Sequence, residues 1–244
     1  MSEAPVNEPP WHAGLRAARA NLVPGLVIQA VMIGTVLAYF FLLDSRGVFD
    51  QLAHWKSRWG YAYSSVSAII AGAIIPEVLR VVVFQNGKPT RRNLGNLCFA
   101  TAFWGYSGMQ VDWFYRMQAA WFGSEADVTT VVKKVLVDQF VYCPLLAAPQ
   151  STTLYDWRAR GFRWQNLPRC WTSEYYLRAI LPTLIANWGV WIPIVAALYS
   201  LPSPLQIPLF SLALSLWVLL FTWMIEQRAG APEGGGRRAE GGGL

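Results

Sequence analysis

An acidic residue and an amide stand side by side in a stretch that otherwise suits a lipid bilayer. Asp138 and Gln139 lie in KKVLVDQFVYCP, which ends at Pro144. In such surroundings the two groups could bind a polar solute or lock neighbouring helices together. Adjacent residues point about 100° apart on a helix, so one partner cannot satisfy both side chains. Lys134 precedes Asp138 by one helical turn, a spacing at which the two could pair.

Further polar side chains occur in apolar surroundings, most of them with a partner nearby. Glu77 and Arg80 are three residues apart and Asp112 and Arg116 are four apart, so each pair can meet on one helix face. Asn187 stands without such a partner in NWGVWIP. An ionised side chain at mid-bilayer costs on the order of 3 kcal/mol, so these groups should face protein or water. Two interpretations stay open: the residues lock the bundle, or some of them line an aqueous path.

Motifs of catalysis and metal binding are not found in the sequence. There is no HExxH, no GxSxG and no P-loop, so the protein is not expected to be an enzyme. The cysteines Cys98, Cys143 and Cys170 have no CxxC spacing, and His12 and His54 lie far apart. No metal site and no cofactor are therefore expected.

The hydrophobic pattern predicts the elements that must position the polar groups. The chain has 244 residues, of which 54% are hydrophobic and 14% are charged, and residues 22–43 and 205–225 carry no charge. About 20 apolar residues in a helix cross the hydrocarbon core. The sequence thus predicts an all-α integral membrane bundle, whereas a soluble protein with long buried helices is the less favoured alternative. The expected six transmembrane helices are 22–43, 61–84, 96–117, 131–152, 177–199 and 205–225.

The distribution of Lys and Arg predicts that both termini lie on the inside face of the membrane. Lys133 and Lys134 are expected to snorkel toward the surface at the start of the fourth span. Membrane topology explains the net charge of +6, and no nucleic-acid partner is expected. The Arg- and aromatic-rich loop at 155–176 favours a membrane interface over stacking on RNA.

The expected organisation is one membrane domain with two polar ends. It comprises a polar N-terminal segment at 1–20, a transmembrane domain at 21–226, and a Gly/Arg-rich tail at 227–244 that is expected to be disordered. A stripe in the second span predicts close packing against another helix, because its members recur every four residues. The stripe consists of Ser64, Ala68, Gly72 and Pro76.

Three ordered pieces of the sequence resemble one family of membrane proteins. They are WFYRMQAAWFG at 113–123, KKVLVDQFVYCP at 133–144, and NWGVWIP followed by a last helix with two tryptophans six residues apart. The chain resembles, over about residues 60–225, the family of the twenty-two-kilodalton peroxisomal membrane protein and the mitochondrial Mpv-seventeen protein, as a divergent member that could be bacterial. The residues that carry the likeness are Trp113, Tyr115, Pro144, Trp191, Pro193, Trp217 and Trp223.

The resemblance implies a weakly selective pore or channel for small polar solutes. It would lie in the inner membrane of a bacterium, or otherwise in a mitochondrial or peroxisomal membrane. The expected pore or buried polar network comprises Glu77, Arg80, Asp112, Arg116, Lys134, Asp138, Gln139 and Asn187. A non-conducting scaffold or stress-related assembly protein is the alternative, and a secondary transporter is less favoured because no repeat matches the two halves. The expected partners are the lipid bilayer and, in a channel, small polar solutes; a homo-oligomer stays open.

Overall fold

Helices account for nearly all of the chain that the computed structural model describes, which is residues 9–42, 46–159, 161–163 and 172–230. No β-strand occurs in those ranges, so the predicted all-α architecture is confirmed. Eight helices lie there: α1 (Pro10–Ala20), α2 (Leu22–Phe41), α3 (Arg46–Trp59), α4 (Tyr61–Phe84), α5 (Arg91–Phe122), α6 (residues 128–159), α7 (Ser173–Tyr199) and α8 (Ser203–Gly230).

Three of these helices, α2, α4 and α7, are long and apolar enough to cross a membrane. The other predicted spans, 96–117, 131–152 and 205–225, fall within α5, α6 and α8. For those three, crossing of the membrane stays a prediction, as does the side on which the termini lie.

The two predicted polar ends are described only in part. The N-terminal segment includes α1, which packs against α7. Helix α8 continues to Gly230, and the remainder of the predicted tail, 231–244, lies outside the described residues. The same holds for positions 160 and 164–171 of the Arg- and aromatic-rich loop.

Helices α4 and α5 pack closely along the small-residue stripe, as the sequence predicts. A Cβ atom at Gly108 would overlap the backbone carbonyl of Ser64, and one at Gly72 would overlap the Trp104 indole. Glycine at these two positions is what lets the helices approach so closely. This packing fixes the distance across which polar residues of α5 can reach α4.

Helix α6 widens where it carries the Asp138–Gln139 pair. It has i to i+5 hydrogen bonding from Asp138 to Ala147 and α-helical geometry on either side. Pro144 has no N–H to donate, and in this register the missing bond belongs to the carbonyl of Gln139. The indole Nε1 of Trp188 on α7 donates to that carbonyl at 2.8 Å. The partner helix thus replaces the backbone donor that α6 lacks.

A second proline repeats this arrangement five residues later. Pro149 has no N–H to donate to the carbonyl of Pro144. The N–H of Ala148, the other nearby backbone donor, bonds to the carbonyl of Cys143. The Tyr176 hydroxyl of α7 donates to the Pro144 carbonyl at 3.1 Å. Helix α7 therefore satisfies two carbonyls on α6 that prolines leave without a backbone donor.

Helix α7 receives the same kind of support from α2. Pro193 leaves the carbonyl of Gly189 without its i+4 donor. The Gln29 amide on α2 donates to the carbonyls of Gly189 and Val190, at 3.1 Å each. Satisfaction of proline-freed carbonyls by neighbouring helices is what a low-dielectric environment requires.

Candidate functional site

Most of the buried polar side chains among the described residues belong to three separate clusters. Two of them include ion pairs between an acid and a base, and one is built around a carboxylate that has only neutral donors. The residues that the sequence predicts as one network are therefore divided between different helix contacts, and their chemistry differs.

The Asp112 cluster (Lys56, Ser64, Asp112, Arg116) joins α3, α4 and α5. The buried carboxylate of Asp112 accepts hydrogen bonds from Lys56 Nζ at 2.7 Å, Ser64 Oγ at 2.7 Å and Arg116 Nε at 3.0 Å. Lys56 also donates to the carbonyl of Gly60 at 3.2 Å. Burial lowers the pKa of the Lys56 ammonium below its usual range, and the hydrogen bond to Asp112 opposes that shift. With its acceptors engaged, Asp112 is suited to holding three helices together.

The predicted pair of Asp112 and Arg116 is confirmed. Lys56 is a partner that the sequence prediction missed, because it lies on another helix 56 residues earlier in the chain. A lysine near the end of a short amphipathic helix is usually solvated, and nothing in the spacing indicates that this one points inward.

The Glu77 cluster (Glu77, Arg80, Thr90, Asn93) joins the other ends of α4 and α5. The Glu77 carboxylate accepts from Arg80 at 2.6 Å, which confirms the predicted i,i+3 pair, and from Asn93 Nδ2 at 2.5 Å. The Asn93 amide oxygen accepts from the backbone N–H of Thr90 at 2.7 Å. This acid is thereby tied to the start of α5 and fixes how the two helices meet.

The Asp138 cluster (Gln118, Asp138, Gln139, Tyr199) joins α5, α6 and α7. The Tyr199 hydroxyl donates to Asp138 Oδ2 at 2.6 Å, and Gln139 Nε2 donates to Oδ1 at 2.9 Å. Gln118 Nε2 donates to the Tyr199 oxygen at 2.5 Å. Asp138 is buried and has protein partners, which agrees with the expectation that such groups face protein or water.

Lys134 is buried beside this cluster without joining it. Its side chain is 1% exposed, and Nζ lies 5.8 Å from the centroid of the Tyr199 ring. It makes no hydrogen bond or ion pair with the described residues, Asp138 included. The expectation that Lys134 snorkels outward is wrong, because its face of α6 packs against α7. Only the neighbouring Lys133 is exposed.

Two amide oxygens in the Asp138 cluster accept no hydrogen bond from the described residues. The Oε1 atoms of Gln118 and Gln139 are buried and accept no hydrogen bond from the described part of the chain. A buried acceptor without a donor costs about 1–3 kcal/mol, so a polar partner would stabilise the cluster. The Asp138 cluster therefore contains hydrogen-bond acceptors that are not fully used, and the Lys134 ammonium beside it is a donor.

Asn187 does not join any of the three clusters. It is half-buried, and its amide makes no hydrogen bond with the residues that the structure describes. Its neighbour Trp188 makes the contact to α6 instead, through the Gln139 carbonyl. The polar atom that matters in NWGVWIP is therefore the indole nitrogen, which the sequence analysis did not single out.

Gln118 and Tyr199 are the other members that the sequence analysis missed. Gln118 lies in WFYRMQAAWFG and Tyr199 at the end of an apolar helix. A tyrosine in that position resembles a membrane-interface residue. The amide of Gln118 was the one feature of the sequence that could have indicated this cluster. A glutamine in an apolar run needs a hydrogen-bond partner, just as Asp138 does.

The residues that carry the family resemblance occupy varied environments. Trp113 is 49% exposed and Pro193 is exposed, whereas Tyr115 is buried with its ring 4.9 Å from that of Tyr199. Trp191 is buried and its ring centroid is 6.5 Å from that of Trp217. The side chain of Trp223 lies outside the described residues.

Comparison with known proteins gives no relative: the chain matches no family model, no curated protein and no solved structure. The resemblance to the peroxisomal and mitochondrial membrane protein family stays a prediction from the motifs. Among the described residues, no group of three or more His, Cys, Asp or Glu side chains is placed to hold a metal ion.

Proposed function

We propose that this protein is a multi-pass membrane protein that conducts small polar solutes past the Asp138 cluster, between α5, α6 and α7. The observation that supports this proposal most is the buried Asp138 carboxylate, whose donors are all neutral, beside two amide oxygens with free acceptor capacity. Three helices long and apolar enough to cross a bilayer support the membrane location.

The contrast with the other two clusters supports assigning the solute path to Asp138. Asp112 and Glu77 each form an ion pair and further hydrogen bonds, which suits a structural role. Within the described ranges, the N–H and O–H groups that donate to Asp138 are those of Tyr199 and Gln139, and both are neutral. Lys134 lies nearby as a second charge for a solute to meet. Acid and amide groups of this kind are typical of intramembrane solute paths.

The experiment is solute efflux from liposomes that contain the purified full-length chain. The vesicles are loaded with neutral and charged solutes of increasing size, and efflux is compared with that from protein-free vesicles. We expect efflux of the smaller solutes above the protein-free rate, and a change in rate or charge preference in Asp138→Asn. That substitution keeps an acceptor for Tyr199 while it removes the charge.

Asp50→Asn is the matched control for this measurement. Asp50 is an exposed acid on α3, so the same chemical change there should leave efflux unaltered. Equal efflux from vesicles with and without the protein would refute conduction. Equal efflux rates and charge preferences of wild type and Asp138→Asn would show that Asp138 does not line the solute path.

A non-conducting membrane scaffold is the second candidate function. It is favoured by the side chains that bond proline-freed carbonyls across helices, as Trp188 and Gln29 do, since they stiffen the bundle. If the protein is a scaffold, the folded protein in liposomes gives no efflux. When it is purified from its native membrane, specific partner proteins copurify with it. Loss of those partners on deletion of residues 164–171 would identify the loop as their binding site, whereas unchanged retention would exclude the loop.

A further inference from the structure

Helix α3 has an exposed apolar face and an exposed polar face. The apolar face holds residues at i, i+7 and i+11: Val48 (65% exposed), Trp55 (47%) and Trp59 (61%). The polar face recurs every four residues, and all of its members are exposed: Arg46, Asp50, His54 and Arg58. At 100° per residue the centres of these faces lie about 140° apart around the helix.

A third face fixes the rotation of α3 about its own axis. Phe49 is buried, with its ring centroid 5.4 Å from that of Tyr39 on α2, and Lys56 reaches Asp112 on α5. This face also packs α3 against α8. The apolar exposed face therefore cannot turn into the bundle without breaking the Lys56–Asp112 ion pair.

In the chain, α3 connects two helices that can each span a membrane. It lies between α2 and α4, both of which are long and apolar enough to span a membrane. Gly60 makes the corner into α4 with φ of +53°, a conformation that glycine adopts readily. Just past the corner, the Arg116 guanidinium lies 4.7 Å from the centroid of the Tyr61 ring. These contacts hold the corner between α3 and α4 against α5.

We propose that α3 is a lipid-binding helix that lies along the membrane surface. Its Val48, Trp55 and Trp59 face contacts acyl chains, and Arg46 and Arg58 contact lipid phosphates. A helix of this type lies about 5–10 Å into the boundary between headgroups and acyl chains. The inference rests on the membrane location in the proposed function but not on conduction.

Lipid is the occupant that the geometry favours for the exposed apolar face. Because α2 and α4 enter the bilayer beside the two ends of α3, acyl chains adjoin this face without any further partner. Two exposed tryptophans, Trp55 and Trp59, with Arg58 between them in the sequence are also typical of a membrane interface.

Spin labels attached to cysteines test this assignment in the full-length chain. The native Cys98, Cys143 and Cys170 are first replaced by alanine, and the protein is placed in vesicles of phosphatidylcholine and phosphatidylglycerol. Labels then replace Val48 or Trp55 on the apolar face, and Asp50 or His54 on the polar face. Collision of each label with oxygen, which enters lipid, is compared with collision with a water-soluble nickel chelate. We expect the oxygen-to-nickel ratio to be several-fold higher at Val48 and Trp55 than at Asp50 and His54.

A label at Ile33 separates failure of this inference from failure of the membrane location. Ile33 is an exposed apolar residue of α2 and should report lipid if that helix spans the bilayer. A lipid signal at Ile33 with equal, water-like ratios on both faces of α3 would overturn the lipid-binding helix alone. Water exposure at Ile33 would overturn the membrane location. Protection of Val48 and Trp55 from both reagents would show that protein covers the face, and would also overturn the proposal.

Discussion

The indole of Trp188 donates a 2.8 Å hydrogen bond to the backbone carbonyl of Gln139, the carbonyl that Pro144 leaves without a donor in the widened part of α6. The five-residue separation of Gln139 and Pro144 matches the i to i+5 register of this helix. The Gln-x4-Pro element in KKVLVDQFVYCP therefore has a physical meaning in the structure. It marks a carbonyl that another helix must satisfy.

Trp188→Phe should destabilise the folded protein by about 1–3 kcal/mol, because it leaves the Gln139 carbonyl buried without a donor. Unfolding in mixed detergent micelles, followed by far-UV circular dichroism, measures the loss. Trp113→Phe is the control, since Trp113 is half-exposed and should tolerate the change within about 0.5 kcal/mol.

A double-mutant cycle tests whether Trp188 replaces the donor that Pro144 lacks. In a Pro144→Ala background the backbone regains an N–H, so Trp188→Phe should cost clearly less than it does in the wild-type chain. If the two changes are additive, the indole stabilises the protein by packing and not by satisfying the freed carbonyl.

The sequence predicted contacts within one helix much better than contacts between helices. The i,i+3 pair of Glu77 with Arg80 and the i,i+4 pair of Asp112 with Arg116 form as the spacing indicated. The partner of Asp138 is Tyr199, which lies 61 residues away, and helical periodicity contains no information about that distance. Local spacing fixes which residues share a face, whereas tertiary packing decides which faces meet.

The same limit explains why the position of Lys134 could not be foreseen. Lysines near a helix end in lipid usually extend toward water. Here α6 packs that face on α7, and the ammonium lies over the Tyr199 ring while Asp138 bonds the hydroxyl of the same residue. The i,i+4 spacing allows a Lys134–Asp138 ion pair, but in the structure Asp138 accepts a hydrogen bond from Tyr199 and does not pair with Lys134.

Removal of the Lys56 ammonium should destabilise the bundle strongly. Lys56→Met leaves the buried Asp112 carboxylate with one cation fewer, and breaking one side of a buried ion pair costs about 3–5 kcal/mol. The exposed pair of Glu174 and Arg178 is the control, and Arg178→Gln should cost less than about 1 kcal/mol. The two variants are compared by the midpoint of thermal unfolding in detergent, and similar midpoints would contradict a structural role for the Asp112 cluster.

Gly108→Ala should be destabilising even though alanine favours helix formation. The added methyl group would overlap the Ser64 carbonyl, so α4 and α5 must separate, at a cost of about 1–3 kcal/mol. Gly95→Ala, on the same helix and with open space around the added atom, should instead be neutral or stabilise by up to about 1 kcal/mol. Opposite shifts of the unfolding midpoint are the expected result; equal shifts would show that the α4–α5 contact is looser than the structure has it.

Tyr199→Phe should destabilise the Asp138 cluster, because it removes the hydroxyl while the aromatic ring keeps its place. The lost hydroxyl is both the donor to Asp138 and the acceptor for Gln118, so stability should fall by about 1.5–3 kcal/mol. Tyr106→Phe provides the control at an exposed tyrosine of α5, where little change is expected. Unfolding in detergent reports stability, and infrared difference spectra of the carboxyl region report the environment of Asp138. An unchanged carboxyl band would mean that Tyr199 does not hold Asp138.

The most direct test of the central claim is the rate of efflux of small polar solutes from liposomes containing wild type, Asp138→Asn or Asp50→Asn, at equal amounts of folded protein. Conduction past the Asp138 cluster predicts efflux above that of protein-free vesicles for wild type and Asp50→Asn, with a several-fold change in rate or in preference between charged solutes for Asp138→Asn. Efflux indistinguishable from that of protein-free vesicles, or identical in all three proteins, would contradict it.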